Sequence, residues 1–255
     1  MSFKPVNFAS VARFNSAASS EVLSFYEDFL TQKLSDAREK PSRTFAPSCF
    51  RCDRKNWFRL RGAEPEAIKN PDATLNFKAE VGTARHLVIQ NNLKDALGAD
   101  WVDAEDYLKE NPIPYEYSLE KKGLETRITI NKPPIRFACD GIIRWKGEYY
   151  LLEIKTADYS AWDSLTDPKD VHVDQIKCYS TLLGLPKVLV IYEDRFYGGL
   201  KCYSMEVSLP ESQAVLDKFE RIQQMAVANL APDRLPKSDY QCKNCEYSKK
   251  CNQWG

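Results

Sequence analysis

The stretch Phe137-Ala-Cys-Asp140-Gly141-Ile-Ile-Arg-Trp145-Lys146-Gly147-Glu-Tyr-Tyr-Leu-Leu-Glu153-Ile154-Lys155 decides the fold of this chain. Two apolar runs flank a Lys-Gly turn, a pattern that is typical of a β-hairpin. Counting back from the turn brings Asp140 and Glu153 to the same end of the strand pair. Because side chains alternate along a strand, Glu153 and Lys155 point to one face and Ile154 points into the core.

The sequence around this hairpin predicts further alternating elements. Strands are predicted over residues 115–119, 125–130, 135–145, 149–155, 187–192 and 200–207. Helices are predicted over residues 20–38, 76–97, 173–183 and 210–230, with Ser20 as the N-cap of the first and an apolar stripe along it. We therefore expect an α/β fold with a central mixed β-sheet flanked by helices. Residues 1–45 form an N-terminal helical extension in this interpretation, and residues 46–255 form the main domain.

Composition limits the class of protein. The chain has 255 residues, 43% of them apolar and 28% charged, which is ordinary for a globular protein. Its longest apolar runs are strand-sized, and its first residues lack the apolar region of a signal peptide, so we expect a cytoplasmic protein without a membrane association. In that compartment, eight cysteines indicate metal or redox use rather than disulfides. The formal net charge is zero, so binding to nucleic acid would need a local basic patch.

The acidic residues of the hairpin indicate a cation site. Two carboxylates, Asp140 and Glu153, suit Mg²⁺ or Mn²⁺, which prefer oxygen ligands, and such a metal can activate water at a phosphate. The ammonium group of Lys155 would stabilise the developing negative charge. The alternative is an ordinary salt pair between Glu153 and Lys155. The apolar flanks indicate a mostly buried strand, where ionisable groups are costly unless they are paired or bound to metal, and this reduces the weight of that alternative.

Three helical residues are candidates for the same site. His86 is one of two histidines in the chain and can offer a neutral imidazole nitrogen to a metal, although a lone helical histidine is more often structural. Gln175 and Tyr179 are four residues apart and therefore share one helical face. In isolation they would be read as a polar helix edge.

The cysteine pattern predicts a second site. Cys242, Cys245 and Cys251 are too close together to be packing residues, and Cys52 can supply a fourth thiolate. Four thiolates can hold a zinc ion or a 4Fe–4S cluster, and unligated thiols remain the third possibility. Cys49 competes with Cys52 as the fourth ligand. The remaining thiols, Cys139, Cys178 and Cys202, fit buried structural positions.

A basic and aromatic run lies beside Cys52. Its members could follow a nucleic-acid backbone and stack bases, and an amphipathic helix with a solvated basic face is the alternative. The residues predicted to contact DNA are Arg51, Arg54, Lys55, Trp57 and Arg59.

Taken in order, these motifs resemble the RecB-like branch of the PD-(D/E)XK nucleases, particularly the iron–sulfur CRISPR-associated nucleases of the fourth Cas family and their phage relatives. The resemblance rests on Ser48-x3-Cys52-x-Arg54-Lys55, Gly82-Thr-x2-His86, Phe137-x2-Asp140-Gly141, Glu153-Ile-Lys155, Gln175-x3-Tyr179 and Cys242-x2-Cys245-x5-Cys251. It implies a restriction-endonuclease-like core closed by a C-terminal iron–sulfur tail. It also implies that His86, Asp140, Glu153 and the Ile154 carbonyl hold the metal, that Lys155 is catalytic, and that the four thiolates hold a 4Fe–4S cluster rather than zinc.

The function implied is a metal-dependent DNA exonuclease acting on single-stranded DNA or DNA ends. A structure-specific endonuclease is the nearest alternative. A different class, a non-catalytic DNA-binding adaptor in CRISPR spacer acquisition or phage recombination, would keep the fold and have a protein partner. A redox protein that uses the cluster would leave the acidic site unexplained.

Overall fold

The computed structural model describes residues 17–36, 41–66, 73–243 and 245–254. The α-helices of these segments are α1 (Ala17–Asp36), α2 (Asp53–Leu60), α3 (Ala73–Leu97), α4 (Ala104–Glu110), α5 (Tyr159–Asp163), α6 (Asp170–Leu183), α7 (Leu209–Val227), α8 (Tyr240–Lys243) and α9 (Ser248–Gln253). The strands are β1 (Trp101–Val102), β2 (Tyr117–Lys122), β3 (Glu125–Ile130), β4 (Ile135–Cys139), β5 (Gly141–Trp145), β6 (Glu148–Ala157), β7 (Lys187–Asp194) and β8 (Leu200–Glu206).

The central sheet has five strands in the order β1-β5-β6-β7-β8. Strands β6 and β7 are parallel, whereas the other neighbours are antiparallel, so the sheet is mixed. Helix α3 contacts β6, and α6 contacts β7. The β6 residue Leu151 belongs to the larger apolar cluster, whereas Leu152 and Ile154 pack with Ile89 of α3 in a smaller one. The fold is therefore α/β, with a central mixed sheet flanked by helices, as the sequence predicts.

A second, antiparallel sheet of three strands has the order β2-β3-β4 and was not expected. The predicted strand over residues 135–145 is in fact two strands that belong to different sheets. Strand β4 ends at Cys139 in the small sheet, and β5 begins at Gly141 in the central sheet. The chain bends at Asp140, whose side-chain Oδ2 accepts a 2.6 Å hydrogen bond from the backbone N–H of Ile154. The apolar pattern continues across this bend, so the sequence does not reveal it.

The hairpin between β5 and β6 has the predicted turn. Lys146 and Gly147 both have positive φ angles, 52° and 82°, as a two-residue hairpin turn of type I′ requires. Trp145 pairs with Glu148 across the turn, and Gly141 pairs with Leu152. This register brings Asp140 next to Glu153, as expected from the sequence.

The N-terminal helix differs from its prediction. Helix α1 begins at Ala17 rather than after Ser20, and residues 1–16 of the predicted extension lie outside the described residues, as do residues 37 and 38 at its end. The predicted apolar stripe is exposed, with Val22, Phe25 and Phe29 each more than half accessible to solvent. An ion pair of 2.6 Å between Lys33 and Glu80 links this helix to α3.

Helix α7 begins close to the predicted position. Ser208 is its N-cap and forms a reciprocal capping box with Glu211, and Pro210 occupies the first turn. No helix in the described segments is both long enough and apolar enough to cross a membrane.

Candidate metal centre and cysteine-lined cavity

Asp140 lies where the chain passes from the small sheet to the central sheet, and its surroundings hold it in place. Its side-chain Oδ2 accepts the N–H of Ile154 on β6, and its backbone carbonyl accepts a 2.7 Å hydrogen bond from the side chain of Gln90 on α3. Its other carboxylate oxygen, Oδ1, lies 3.4 Å from Nδ1 of His86, also on α3. The residue is 8% exposed. One carboxylate is thus fixed by a strand and a helix.

His86, Asp140 and Glu125 form a candidate metal-binding group. Each offers one ligand atom, and these atoms lie within 4.8 Å of one another. The predicted ligands His86 and Asp140 are therefore together, and Glu125 is an addition that the sequence analysis missed. Glu125 is the first residue of β3, and Thr126 pairs with Cys139, so the register brings Glu125 opposite Asp140. Glu125 could have been identified as a candidate ligand only from this register, which the sequence does not determine.

The pKa of His86 reflects two opposing effects. Burial lowers the pKa, but the hydrogen bond and the negative charge of Asp140 together raise it by more. The pKa of His86 therefore lies above its usual value. In the absence of a cation, the imidazole is therefore biased towards its protonated form. A cation at this position would displace that proton because metal ligation needs a neutral imidazole nitrogen.

Glu153 and Lys155 begin a chain of polar contacts that leads to α6. Nζ of Lys155 lies 2.5 Å from a carboxylate oxygen of Glu153 and donates a 3.2 Å hydrogen bond to the side-chain carbonyl of Gln175. The amide of Gln175 in turn donates a 2.6 Å hydrogen bond to the hydroxyl of Tyr179. The ring of Tyr179 stacks on Phe137 at a centroid distance of 5.1 Å. The four predicted site residues of this chain are therefore in contact, and β4 supports the last of them.

Glu153 does not belong to the group of three ligand atoms, in contrast to the ligand set implied by the sequence. Its carboxylate instead pairs with Lys155, because both side chains point to one face of β6. Burial, followed by the charge of Asp140, raises the pKa of Glu153, and Lys155 and His86 oppose that rise. Three carboxylates therefore approach one region, and burial and this crowding raise the pKa of one of them, Glu153. This is the electrostatic setting in which a divalent cation binds well.

The second predicted site is a cavity lined by all four predicted cysteines. Its volume is about 250 Å³, and Cys52, Cys242, Cys245 and Cys251 contribute to its wall. Burial raises the pKa of Cys52, Cys242 and Cys245, that of Cys245 to about 11. These three thiols are therefore neutral near pH 7 unless a metal displaces their protons.

Cys49, the competing fourth ligand, does not contribute to this cavity. It is buried in the short 3₁₀ helix before Cys52, and its backbone carbonyl accepts a hydrogen bond from the side chain of Asn56. The arrangement favours Cys52 over Cys49. Cys139 and Cys178 are buried as predicted, but Cys202 is exposed, because it points outward from β8, a strand whose side chains are all partly or fully exposed.

Two of the residues predicted to contact DNA are buried, which corrects that prediction. Arg54 is 5% exposed and donates hydrogen bonds to the backbone carbonyls of Pro232 (2.6 Å) and Cys251 (3.2 Å). Trp57 is fully buried, and its indole N–H donates to the carbonyl of Met225. Arg54 therefore ties α2 to the C-terminal segment, and Trp57 has no free face on which a base could stack.

The other three residues of that set are also held by the protein. Lys55 lines the cysteine cavity and lies 2.9 Å from a carboxylate oxygen of Glu246. Arg51 is exposed and pairs with Asp239 at 3.2 Å. Arg59 is half-buried and donates a 3.4 Å hydrogen bond to the carbonyl of Thr44. Helix α2 and the residues just before it thus mainly hold the C-terminal segment in place.

No known family model matches the sequence, and no curated protein matches it. Among solved structures, one described as "Crystal structure of SSO0001" is similar, with a TM-score of 0.49 and 17% sequence identity. The match covers 88% of this chain and 95% of that chain. A likeness at this level assigns no function.

Proposed function

We propose that this protein is a divalent-metal-dependent deoxyribonuclease that hydrolyses single strands or the ends of DNA, with a restriction-endonuclease-like core related to the RecB-like PD-(D/E)XK enzymes. One observation carries the proposal. The group formed by His86, Glu125 and Asp140 lies beside the ion pair of the buried Glu153 with the half-buried Lys155. A cation site next to a fixed ammonium group suits the chemistry of phosphodiester hydrolysis.

The donor set fits a hard divalent cation such as Mg²⁺ or Mn²⁺. It consists of carboxylate oxygens and one imidazole nitrogen, and it contains no thiolate. The raised pKa of Glu153 supports the assignment, because burial beside the charge of Asp140 outweighs the effect of Lys155, so a further positive charge nearby would be favourable. When bound, the cation would neutralise charge on the phosphate and lower the pKa of a coordinated water. His86, Glu125 and Asp140 would hold it, and Glu153 would complete the negative surroundings.

We assign to Lys155 the role of stabilising the negative charge that develops on the phosphate during hydrolysis. Its Nζ is held from two sides, by the carboxylate of Glu153 and by the side-chain carbonyl of Gln175. Gln175 is itself oriented by Tyr179. A donor that is already oriented needs no reorganisation during the reaction, and this is the main advantage of such a group. Gln175 and Tyr179 are thus positioning residues for Lys155.

The cysteine cavity supports a second cofactor, which we propose to be a 4Fe–4S cluster with a structural role. Tetrahedral zinc with Zn–S bonds of about 2.3 Å would place the sulfurs about 3.8 Å apart. Among the described residues, no three of the four cysteine sulfurs form a group within 4.8 Å. The cavity of about 250 Å³ that they line together with other residues is also larger than one ion requires. The cluster would join Cys52 to the segment that carries the other three thiols.

The substitution Lys155→Ala tests the catalytic assignment. We expect cleavage of labelled single-stranded DNA with Mn²⁺ or Mg²⁺ to fall about 100-fold or more, the usual cost of removing one stabilising donor. The buried Glu153 loses its partner but can take up a proton because its pKa is already raised, so the fold should persist. Product on a denaturing gel measures the first effect, and the melting temperature measures the second.

Lys187→Ala is a matched control because Lys187 forms its ion pair with Glu148 at the surface of the same sheet. It should cleave like the unmodified protein. Equal activity of the Lys155→Ala protein would contradict the assignment. If the unmodified protein forms no product from any DNA end with either metal, the non-catalytic adaptor becomes the better interpretation.

A further inference from the structure

The small sheet has one buried and one accessible face. Buried and accessible residues alternate along β3 and β4, so Arg127 and Thr129 share the accessible face with Arg136. The pairs Arg127–Ala138 and Thr129–Arg136 fix this register. The same face ends at Glu125, a member of the candidate metal group that lies opposite the buried Asp140. The accessible face therefore runs from the metal group to Arg136 without a break.

A cavity of about 480 Å³ lies at the far end of this face. Three arginines and three hydroxyl residues contribute to its wall: Arg43, Arg59, Arg136, Ser42, Thr44 and Thr129. The segment before α2 reaches it because Phe45 forms a parallel bridge with Ile135 at the edge of β4. We call Arg127 together with these six wall residues the basic face.

The side chain of Arg43 is exposed, but part of it packs against the protein. Its Nε lies 3.3 Å from the point where a Cβ on Gly62 would stand, so it packs closely on the backbone after α2. Arg59 donates to the carbonyl of Thr44 in the same wall. Guanidinium groups held in this way offer oriented donors to an anion at a low cost in side-chain entropy.

Charge and chemistry identify the class of ligand. The wall of the cavity presents guanidinium and hydroxyl donors and no carboxylate. The carboxylate that approaches it belongs to Glu120 of β2, 2.8 Å from Arg127 and 3.7 Å from Arg136. Phosphate oxygens are the acceptors that match such a set of donors. Arg136 and Asp140 are four positions apart, about 13 Å at about 3.3 Å per strand residue, so a polymer bearing several phosphates can reach both ends.

We propose that the basic face binds the phosphodiester backbone of the DNA strand that is cut at the metal group. This proposal rests on the proposed function and adds the path of the substrate. The strand lies along the accessible face of β3 and β4, with its phosphates at Arg127 and Arg136 and in the cavity beside Arg43. Binding of this kind depends on salt and not on base sequence.

Fluorescence anisotropy of a labelled single-stranded oligonucleotide in EDTA tests the proposal without cleavage. The double variant Arg43→Gln/Arg136→Gln should bind more weakly than the unmodified protein. Because each lost phosphate contact changes the dependence of log K on log salt by about 0.7, the slope should become shallower by about 1.4. Glu120→Gln removes the competing carboxylate and should tighten binding. Arg144→Gln is the matched control because Arg144 lies on β5 in the central sheet and pairs with Asp100 rather than with a residue of the basic face.

The outcomes separate this proposal from the proposed function. Unchanged affinity and slope in the double variant, or a loss equal to that in Arg144→Gln, would overturn the basic face even if the protein cleaves DNA. Arginine-dependent binding by a protein that does not cleave would support the basic face and count against the nuclease. Arginine-dependent binding of inorganic phosphate without binding of the oligonucleotide would overturn the polymer path. A protein that neither binds nor cleaves DNA would overturn both.

Discussion

At the scale of single residues, Asp140 shows how the candidate metal group is organised before any cation binds. Its carboxylate accepts a hydrogen bond from the N–H of Ile154, and its backbone carbonyl accepts one from the side-chain amide of Gln90. One contact comes from a strand and the other from a helix, so the sheet and α3 must both be in place before the carboxylate is fixed. A preorganised ligand of this kind loses little entropy when a cation arrives.

His172 provides a prediction about pH. Burial, then the charges of Lys155 and Lys169, lower its pKa from 6.5 to about 3. Its Nδ1 lies 2.6 Å from the hydroxyl of Tyr192, which already accepts the N–H of Lys169 and can donate its own proton to the imidazole. The folded protein therefore keeps His172 neutral, whereas the unfolded chain takes up a proton below about pH 6.5, so acid weakens the folded state.

We expect the free energy of unfolding of the unmodified protein to fall relative to that of His172→Gln by up to about 2 kcal/mol between about pH 7.5 and pH 5, at about 1.4 kcal/mol per pH unit below 6.5. Urea denaturation at both pH values measures it. The comparison with the variant removes the contribution of other groups that titrate in this range. Parallel pH profiles for the two proteins would show that His172 is not held neutral.

Single residues also show what sequence could and could not predict about the site. Glu153 and Lys155 share a face because of strand alternation alone, and Gln175 meets Tyr179 because of helical spacing alone, so local periodicity was enough for these pairs. Glu125 was missed because its place beside Asp140 depends on the register between β3 and β4. Trp57 was misassigned because its burial depends on α7, which lies more than 150 residues away in the chain.

At the scale of secondary-structure elements, the change of sheet at Asp140 positions the site. The hairpin turn at Lys146-Gly147 could be predicted because it depends on local backbone preferences. The break between β4 and β5 could not be, because it depends on contacts of Asp140 and Gly141 with other elements. At Gly141, an added Cβ would lie 2.7 Å from the ring of Trp101, which is 7% exposed.

Gly141→Ala should therefore destabilise the protein by about 1–3 kcal/mol, the usual cost of overpacking. The displaced backbone carries Asp140, so affinity for Mn²⁺ should fall as well. Thermal unfolding and Mn²⁺ titration measure the two effects.

Gly82→Ala is the matched control within α3. There the added Cβ would meet the Thr156 hydroxyl at an ordinary 3.5 Å, and alanine is the better helix former by about 0.5–1 kcal/mol. This variant should be as stable as the unmodified protein or more so. Equal stability of the two variants would show that the contact between Gly141 and Trp101 does not constrain the bend.

At the scale of the whole molecule, the C-terminal segment closes on α2. Arg54 donates to the carbonyls of Pro232 and Cys251, and Lys55 pairs with Glu246, so protein contacts alone hold the segment near Cys52. The dense cysteines allowed this closure to be predicted from sequence. The roles of Arg54 and Lys55 in it could not be, because a basic run beside a predicted metal site also matches a nucleic-acid interface.

Replacing single cysteines distinguishes the fourth ligand. Cys52→Ser should lose bound iron and sulfide after anaerobic purification, because its thiol lines the cavity, whereas Cys49→Ser should retain both. Iron and sulfide assays with an absorbance spectrum measure the result. The reverse pattern would assign the ligand to Cys49. A colourless protein that contains zinc would contradict the cluster.

The separation in sequence of Cys52 from Cys242, Cys245 and Cys251 has a consequence for biosynthesis. A ribosome adds about 5–20 residues per second, so Cys52 emerges roughly 10–40 s before its partners. During that interval the hairpin that carries Asp140 and Glu153 can fold, but the cavity lacks three of its four thiols. The proposed cluster would therefore be assembled after the central sheet forms, and a protein without it would still have its final segment held by contacts that include those of Arg54, Lys55 and Glu66.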